Sequence, residues 1–215
     1  MNMEATDPTT ATYAAITKAF RHFNLTLFEN RLPDPLFVFQ RGRSFKGYFW
    51  AGIWNEKGGC EKADEIALNP DLLSTRSIEE TLSTLVHEMT HLEQQHFGKP
   101  SRSGYHNKEW AGLMERVGLI PSETGQPGGK KTGQRVTHYI DEAGAFAAEV
   151  ALLIENGFTI PWEAIDTRSE KAEKRKKAKA ASKSKFECPS CGQVARAKAD
   201  AKLICGECVV AMELA

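Results

Sequence analysis

No apolar run in the 215-residue chain approaches the ~20 residues that a membrane-spanning helix needs. The longest, from Ala143 to Ile154, is interrupted by Glu149. The opening residues MNMEATDPTT are polar and acidic, without the apolar stretch of a secretory signal or the arginines of a transit peptide. Those absences point to a cytoplasmic protein with no membrane partner. A phosphate-binding loop is also missing. The pair Gly129-Lys130 would need glycine where Thr124 stands and Ser or Thr where Lys131 stands. There is no internal repeat. Cysteine is scarce, five in all, and without an export signal a disulfide framework is not expected.

Net charge is absent too, at 28 Lys/Arg against 28 Asp/Glu, but the zero hides an asymmetry. Residues 1–167 carry 16 basic and 22 acidic side chains, residues 168–185 carry 9 and 2, and residues 186–215 carry 3 and 4. The chain therefore divides into an acidic body (1–165), a basic linker (166–185) and a small terminal unit (186–215). The linker has almost nothing apolar to bury, so it is expected to be flexible and solvated. Its Lys174, Arg175, Lys176, Lys177 and Lys179 are the candidate contacts to a polyanion such as DNA, which would make the protein nucleoid-associated.

Hydrophobic spacing predicts an α+β body. Tyr13, Ile16, Phe20, Phe23 and Leu27 recur at helical intervals and are stopped by the prolines of 31–35. Leu36–Phe39, the aromatic run Gly47–Trp54 and Glu65–Asn69 read as strands. Ser77 followed by Glu80 is a capping box that opens a helix to about Phe97, ended by Gly98 and Pro100. A short helix is expected over 107–117, a loop over 121–133, a helix over 141–156 and a short extension over 158–162.

The long helix carries His87-Glu88-Met89-Thr90-His91, an HExxH. At about 100° per residue, two histidines four apart differ by about 40° and one turn, so both imidazoles reach one ion. Glu88 lies about 100° from His87, too far round to be a natural third ligand, and is placed to take a proton from an attacking water. With 6 His and 21 Glu in the chain, about 0.016 accidental matches are expected. Two surface histidines also fit poorly beside Leu85, Val86 and Met89.

A zinc ion held this way lacks one protein ligand. His96 is about 900° from His87, on the opposite helix face. His106, after the turn GKPSRSGY, is favoured; Glu109 or Glu115 of the next helix would make a glutamate-type site instead. His22 and His138 read as structural or surface histidines. Cys188-Pro-Ser-Cys191 and Cys205-Gly-Glu-Cys208, with 13 residues between the pairs, predict a tetrahedral structural zinc site in a ribbon too small to fold on its own core. Cys60 is left as a free thiol.

The HExxH, Tyr105-His106 with Glu109-Trp110 behind it, and the terminal cysteine pairs together resemble the SprT-like, Spartan-related family of zinc metalloproteases, which includes proteases that degrade proteins crosslinked to DNA. The likeness runs over about residues 10–120. It implies a zincin-like α+β core with a small mixed sheet against the HExxH helix, followed by a basic segment and a ribbon. Carried over, His87, His91 and His106 are the catalytic zinc ligands and Glu88 the catalytic glutamate. Residues 121–165, an extension of that core, look more like the versions carried by phage and conjugative elements, and the sequence assigns them no role.

Two functions follow as expectations. The first is a zinc-dependent protease, with one catalytic and one structural zinc, acting on protein substrates near or bound to DNA. Tyr105, Tyr139 and His138 are its weak oxyanion candidates. The second is a nucleic-acid-binding or adaptor protein that works through the linker and ribbon, with a non-proteolytic metal site. An intact Glu88 favours the first, because a purely structural metal site has no need of it.

Overall fold

A computed structural model describes residues 7–164, 174, 177–178 and 183–215, and the chain forms two compact units, Met1–Ile165 and Asp166–Ala215. Of the linker residues singled out above, Lys174 and Lys177 are described, as exposed helical positions, while Arg175, Lys176 and Lys179 lie outside the described residues. No helix among the described residues is long and apolar enough to cross a membrane.

In the first unit, α1 (Pro8–Leu27) starts where the Asp7 carboxylate accepts the amides of Thr9 and Thr10, satisfying donors that a helix start leaves open. Its apolar stripe buries Ile16, Phe20, Phe23 and Leu27, as the spacing predicts. The turn after it is held by Asn24, whose side chain bonds both the amide and the carbonyl of Leu32. Three strands follow: β1 (Leu36–Phe39), β2 (Gly47–Asn55) and β3 (Lys62–Leu68). They form a sheet of order β1-β3-β2, β1 parallel and β2 antiparallel to β3. Register slips between Trp50 and Trp54, where Gly52 takes φ +56° and donates its amide to Asp64. Tyr48 and Trp54 both donate to the Glu65 carboxylate, pinning β2 across the slip and pushing the Tyr48 phenol up to about 12.

The central helix α2 (Ile78–Phe97) begins with the predicted capping box, the Ser77 and Glu80 side chains each bonding the other's backbone amide. Leu82, Leu85, Val86, Met89 and Leu92 are all fully buried; at ~1.5–3 kcal/mol each they make α2 the spine of the core. Helix α3 (Lys108–Arg116) is locked to it by Glu93, a buried carboxylate on α2 that pairs with Arg116 and with Arg31. The 121–165 segment is more ordered than its sequence suggests. Strands β4 (Leu119–Ser122) and β5 (Thr137–Ile140) form an antiparallel hairpin with Pro121 opposite His138, and α4 (Ala145–Glu155) follows. Pro121 is tolerated because this is a two-stranded ribbon whose outer edges carry no ladder bonds among the described residues. No strand or helix forms over 158–162, although Phe158 packs into the core.

The second unit contains a small antiparallel sheet of order β7-β6-β8, from β6 (Ser184–Glu187), β7 (Val194–Ala197) and β8 (Glu213–Leu214).

Candidate metal centres

His87 and His91 sit one turn apart on α2, and His106 enters from the turn that precedes α3. Its position is fixed by the next residue, Asn107, which caps α3 by accepting the Trp110 amide and also accepts from Gln94 of α2. One ligand atom from each of the three histidines lies within 4.8 Å of the others, and His91 Nε2 is 3.2 Å from His106 Nε2. Tetrahedral zinc–nitrogen bonds of 2.0–2.1 Å would hold two nitrogens about 3.3 Å apart, so this donor set fits such an ion. The indole of Trp110 floors the cluster, its ring centre 4.2–5.1 Å from all three imidazoles.

Burial depresses His87 well below the ordinary histidine range, with the neighbouring imidazoles adding to the effect, and lowers His91 to about 3. All three rings are therefore neutral near pH 7, the form that binds a metal. Burial acts on Glu88 in the opposite sense, raising its carboxyl to about 8. Among the described residues no hydrogen bond holds that carboxylate. It comes so close to β2 that a Cβ added at Gly47 would stand 3.2 Å from its oxygen and 2.8 Å from the Ala67 carbonyl, so position 47 requires glycine. Around the cluster opens a cleft of about 1030 Å³, walled by residues 47–51 of β2, the 100–106 turn and residues 134–138.

The glutamate alternatives are not in this site. Glu109 accepts from Gln94 and from the Lys99 amide, and Glu115 pairs with Lys131. His96 turns away, as helical geometry requires, though it is bonded 2.6 Å from Asp64 and is not simply solvated. His22 lies against Glu149 of α4. His138 is a half-buried histidine on the wall of the cleft: Nδ1 lies 3.1 Å from His87 Nδ1 and Nε2 lies 2.9 Å from Ser83 Oγ. With both nitrogens engaged it is no oxyanion donor. The missed contribution is that of residues 133–138. Gly133 accepts both the backbone amide and the Nδ1–H of His106, which leaves His106 Nε2 facing the cluster. Nothing in the sequence marks Gly133 or links His138, read there as a structural histidine or a weak oxyanion candidate, to His87, since neither belongs to a periodic run or a motif.

Cys188, Cys191, Cys205 and Cys208 form the second group, their sulfurs within 4.8 Å of one another and unbridged. The Cys191–Cys205 sulfur separation of 3.7 Å matches the edge of a tetrahedron with metal–sulfur bonds of about 2.3 Å. Each CxxC pair turns in the same way, the first cysteine's amide bonding the carbonyl five residues on (Gln193 and Val210). Cys60 is exposed and free.

No curated protein and no solved structure matches the chain. The model of the SprT-like family matches residues 16–131, from α1 through the HExxH helix and His106 into the β4–β5 connection. That match covers more than half of the chain, and the protein belongs to the SprT-like family.

Proposed function

We propose that the protein is a zinc-dependent metallopeptidase built on a zincin-like core, in which His87, His91 and His106 hold the catalytic ion. The observation that carries this reading is Glu88, a buried carboxylate without a hydrogen bond among the described residues, which lines the same large open cleft as the three convergent histidines. The SprT-like family is associated with zinc-metalloprotease function, which agrees. Zinc bound there supplies a Lewis acid for the scissile carbonyl and makes an attacking water more acidic. Glu88, at the edge of the cleft, would take the proton from that water and return it to the leaving amine. Among the described residues the outer edge of β2 carries no ladder partner, and β2 lines the cleft, so an extended substrate chain can align along it by backbone hydrogen bonds.

The four cysteines hold a second, structural zinc, and residues 186–215 form a ribbon behind the basic linker of 166–185. That linker, through Lys174, Arg175, Lys176, Lys177 and Lys179, concentrates the enzyme on DNA, and its substrates are proteins bound there. Attraction of this kind is sequence-independent and steeply salt-sensitive. The test is digestion of a basic DNA-binding protein by the zinc-loaded chain, with and without DNA, before and after chelation. Cleavage should need zinc and rise with DNA at low salt, and replacing the five linker cations with glutamine should remove only the DNA-dependent part. Cleavage that survives full chelation would refute the metallopeptidase reading, and DNA stimulation that survives the glutamine variant would refute the role of the linker.

A further inference from the structure

We propose that His138 is the positioning residue of His87, its Nδ1 accepting the His87 Nδ1–H and so fixing the tautomer that presents His87 Nε2 to the metal. The proposal rests on the metal-site reading above. It concerns a residue beyond the 16–131 span that carries the family match.

The direction of each proton follows from the donors available. Ser83 Oγ lies 2.8 Å from the Glu80 carbonyl, which can only accept, and we assign the single hydroxyl proton to that bond. Ser83 must then accept at its other contact, 2.9 Å away, and His138 carries its proton on Nε2. That leaves His138 Nδ1 with a lone pair. Two ring nitrogens 3.1 Å apart share one proton, so the donor between them is His87 Nδ1–H. Its Nε2 is left unprotonated, with a lone pair to offer as the His87 ligand atom of the cluster with His91 and His106.

Every link has a fixed anchor. Glu80 and Ser83 belong to α2 itself, about two turns and one turn before His87, so the relay starts and ends on the helix that carries the ligand. His138 is delivered by the β4–β5 register, opposite Pro121. A histidine that holds a metal usually gives its second N–H to a carboxylate, a carbonyl or water. Here the carbonyl of Gly133 serves His106 and an imidazole serves His87, both from one short stretch of chain. An uncharged acceptor adds no second buried negative charge beside Glu88.

The hydrogen bond can be separated from mere packing by three substitutions at 138 and one at 83. In His138→Asn the amide oxygen can occupy the place of Nδ1, in His138→Gln the amide reaches toward Ser83 instead, and His138→Phe keeps only volume. Ring nitrogen-15 spectra of the zinc-free full-length chain report the His87 tautomer directly. Chelator competition, followed through the His91 ring signals, reports zinc affinity at the histidine site. Wild type should show the Nδ1–H form of His87. The Phe and Gln variants should lose that preference and bind zinc roughly 10–100-fold more weakly, and Asn should recover most of the loss. Ser83→Ala, which leaves the 138 ring in place, should weaken the preference by freeing His138 to reverse its tautomer. An Nε2–H form of His87 in wild type overturns the proposal, and so does equal zinc affinity in Phe, Asn and wild type. Equal loss in Phe and Asn with an unchanged His87 tautomer reduces His138 to packing and overturns it as well. Failure of wild type to bind zinc at the histidines would refute the metal-site reading instead, while the zinc-free spectra still decide the hydrogen bond.

Discussion

The histidine cluster is set against a core of 22 buried apolar side chains, whereas the described residues of the C-terminal unit bury only Phe186, Cys188 and Cys205 among their apolar groups. In that unit Val194, Ile204, Val209 and Leu214 are each at least half exposed. The contrast separates two ways of making a metal site. In the body, α2, α3 and the β4–β5 hairpin are positioned by packing, and the imidazoles converge as a consequence. In the C-terminal unit, the proposed ion held by the four cysteines would replace the missing core.

Metal removal should therefore break the comparison open, and it has the largest expected effect. Binding of structural zinc to small cysteine sites is worth roughly 10–16 kcal/mol, more than such a unit can lose. On chelation, the amide signals of 184–214 should collapse toward random-coil positions, while those of α1, α2 and α4 stay dispersed. Persistence of the β6–β7 signals without metal would show that the unit folds on its own contacts.

Next in size is the choice of third histidine. His106→Ala should weaken zinc binding at the body site by more than the roughly 10–100-fold typical of an outer-shell partner, and His96→Ala should leave it unchanged. Equal losses, measured by competition with a chelator, would mean the cluster is not organised as its geometry shows.

How far the sequence could be read follows the same division. Capping box, HExxH spacing and the alternation of turn and helix after Gly98 are local, and each was legible because one element carries the whole signal. His106 was legible less directly, as the only histidine on a segment able to fold back over α2. The β4–β5 hairpin was not: Pro121 and the glycines of 125–133 look like a plain loop, and four-residue strands leave no periodicity to detect. His138 was lost with it, since a contact to His87 across 51 residues exists only once that hairpin has formed. In the C-terminal unit the cysteine spacing was the entire signal.

A third expectation sharpens the contrast through pH. In the metal-free chain Glu88 is raised to about 8, so its contribution to stability is complete below the ordinary value near 4.5 and is lost as pH rises through 8. His91 and His138, lowered to about 3 by desolvation, act oppositely, stabilising above their ordinary 6.5 and losing that contribution as pH falls. Those two are common to wild type and Glu88→Gln, so they cancel in the difference. Between pH 5 and 9 metal-free wild type should lose on the order of a few kcal/mol relative to Glu88→Gln, as chemical denaturation would show. A difference that does not change with pH would contradict the buried state of Glu88.

The smallest effect lies in the C-terminal unit. After Cys191 the chain takes a left-handed turn at Gly192 (φ +72°), and after Cys208 the same turn falls on Val209 (φ +52°), a β-branched residue that resists it. Val209→Gly should stabilise the zinc-loaded unit by about 1 kcal/mol, read from its melting, without touching the body.

Most direct for the account as a whole is Glu88→Gln assayed for cleavage of an unfolded polypeptide at matched zinc content. Amide for carboxylate keeps size and leaves His87, His91 and His106 as ligands, but removes the group that carries the proton. Two zinc ions per chain should be retained, and turnover should fall by about 10²–10⁴-fold, the span ascribed to a positioned acid–base group. Full activity in a zinc-replete Glu88→Gln chain would contradict the claim that this buried carboxylate is what the fold is arranged to use.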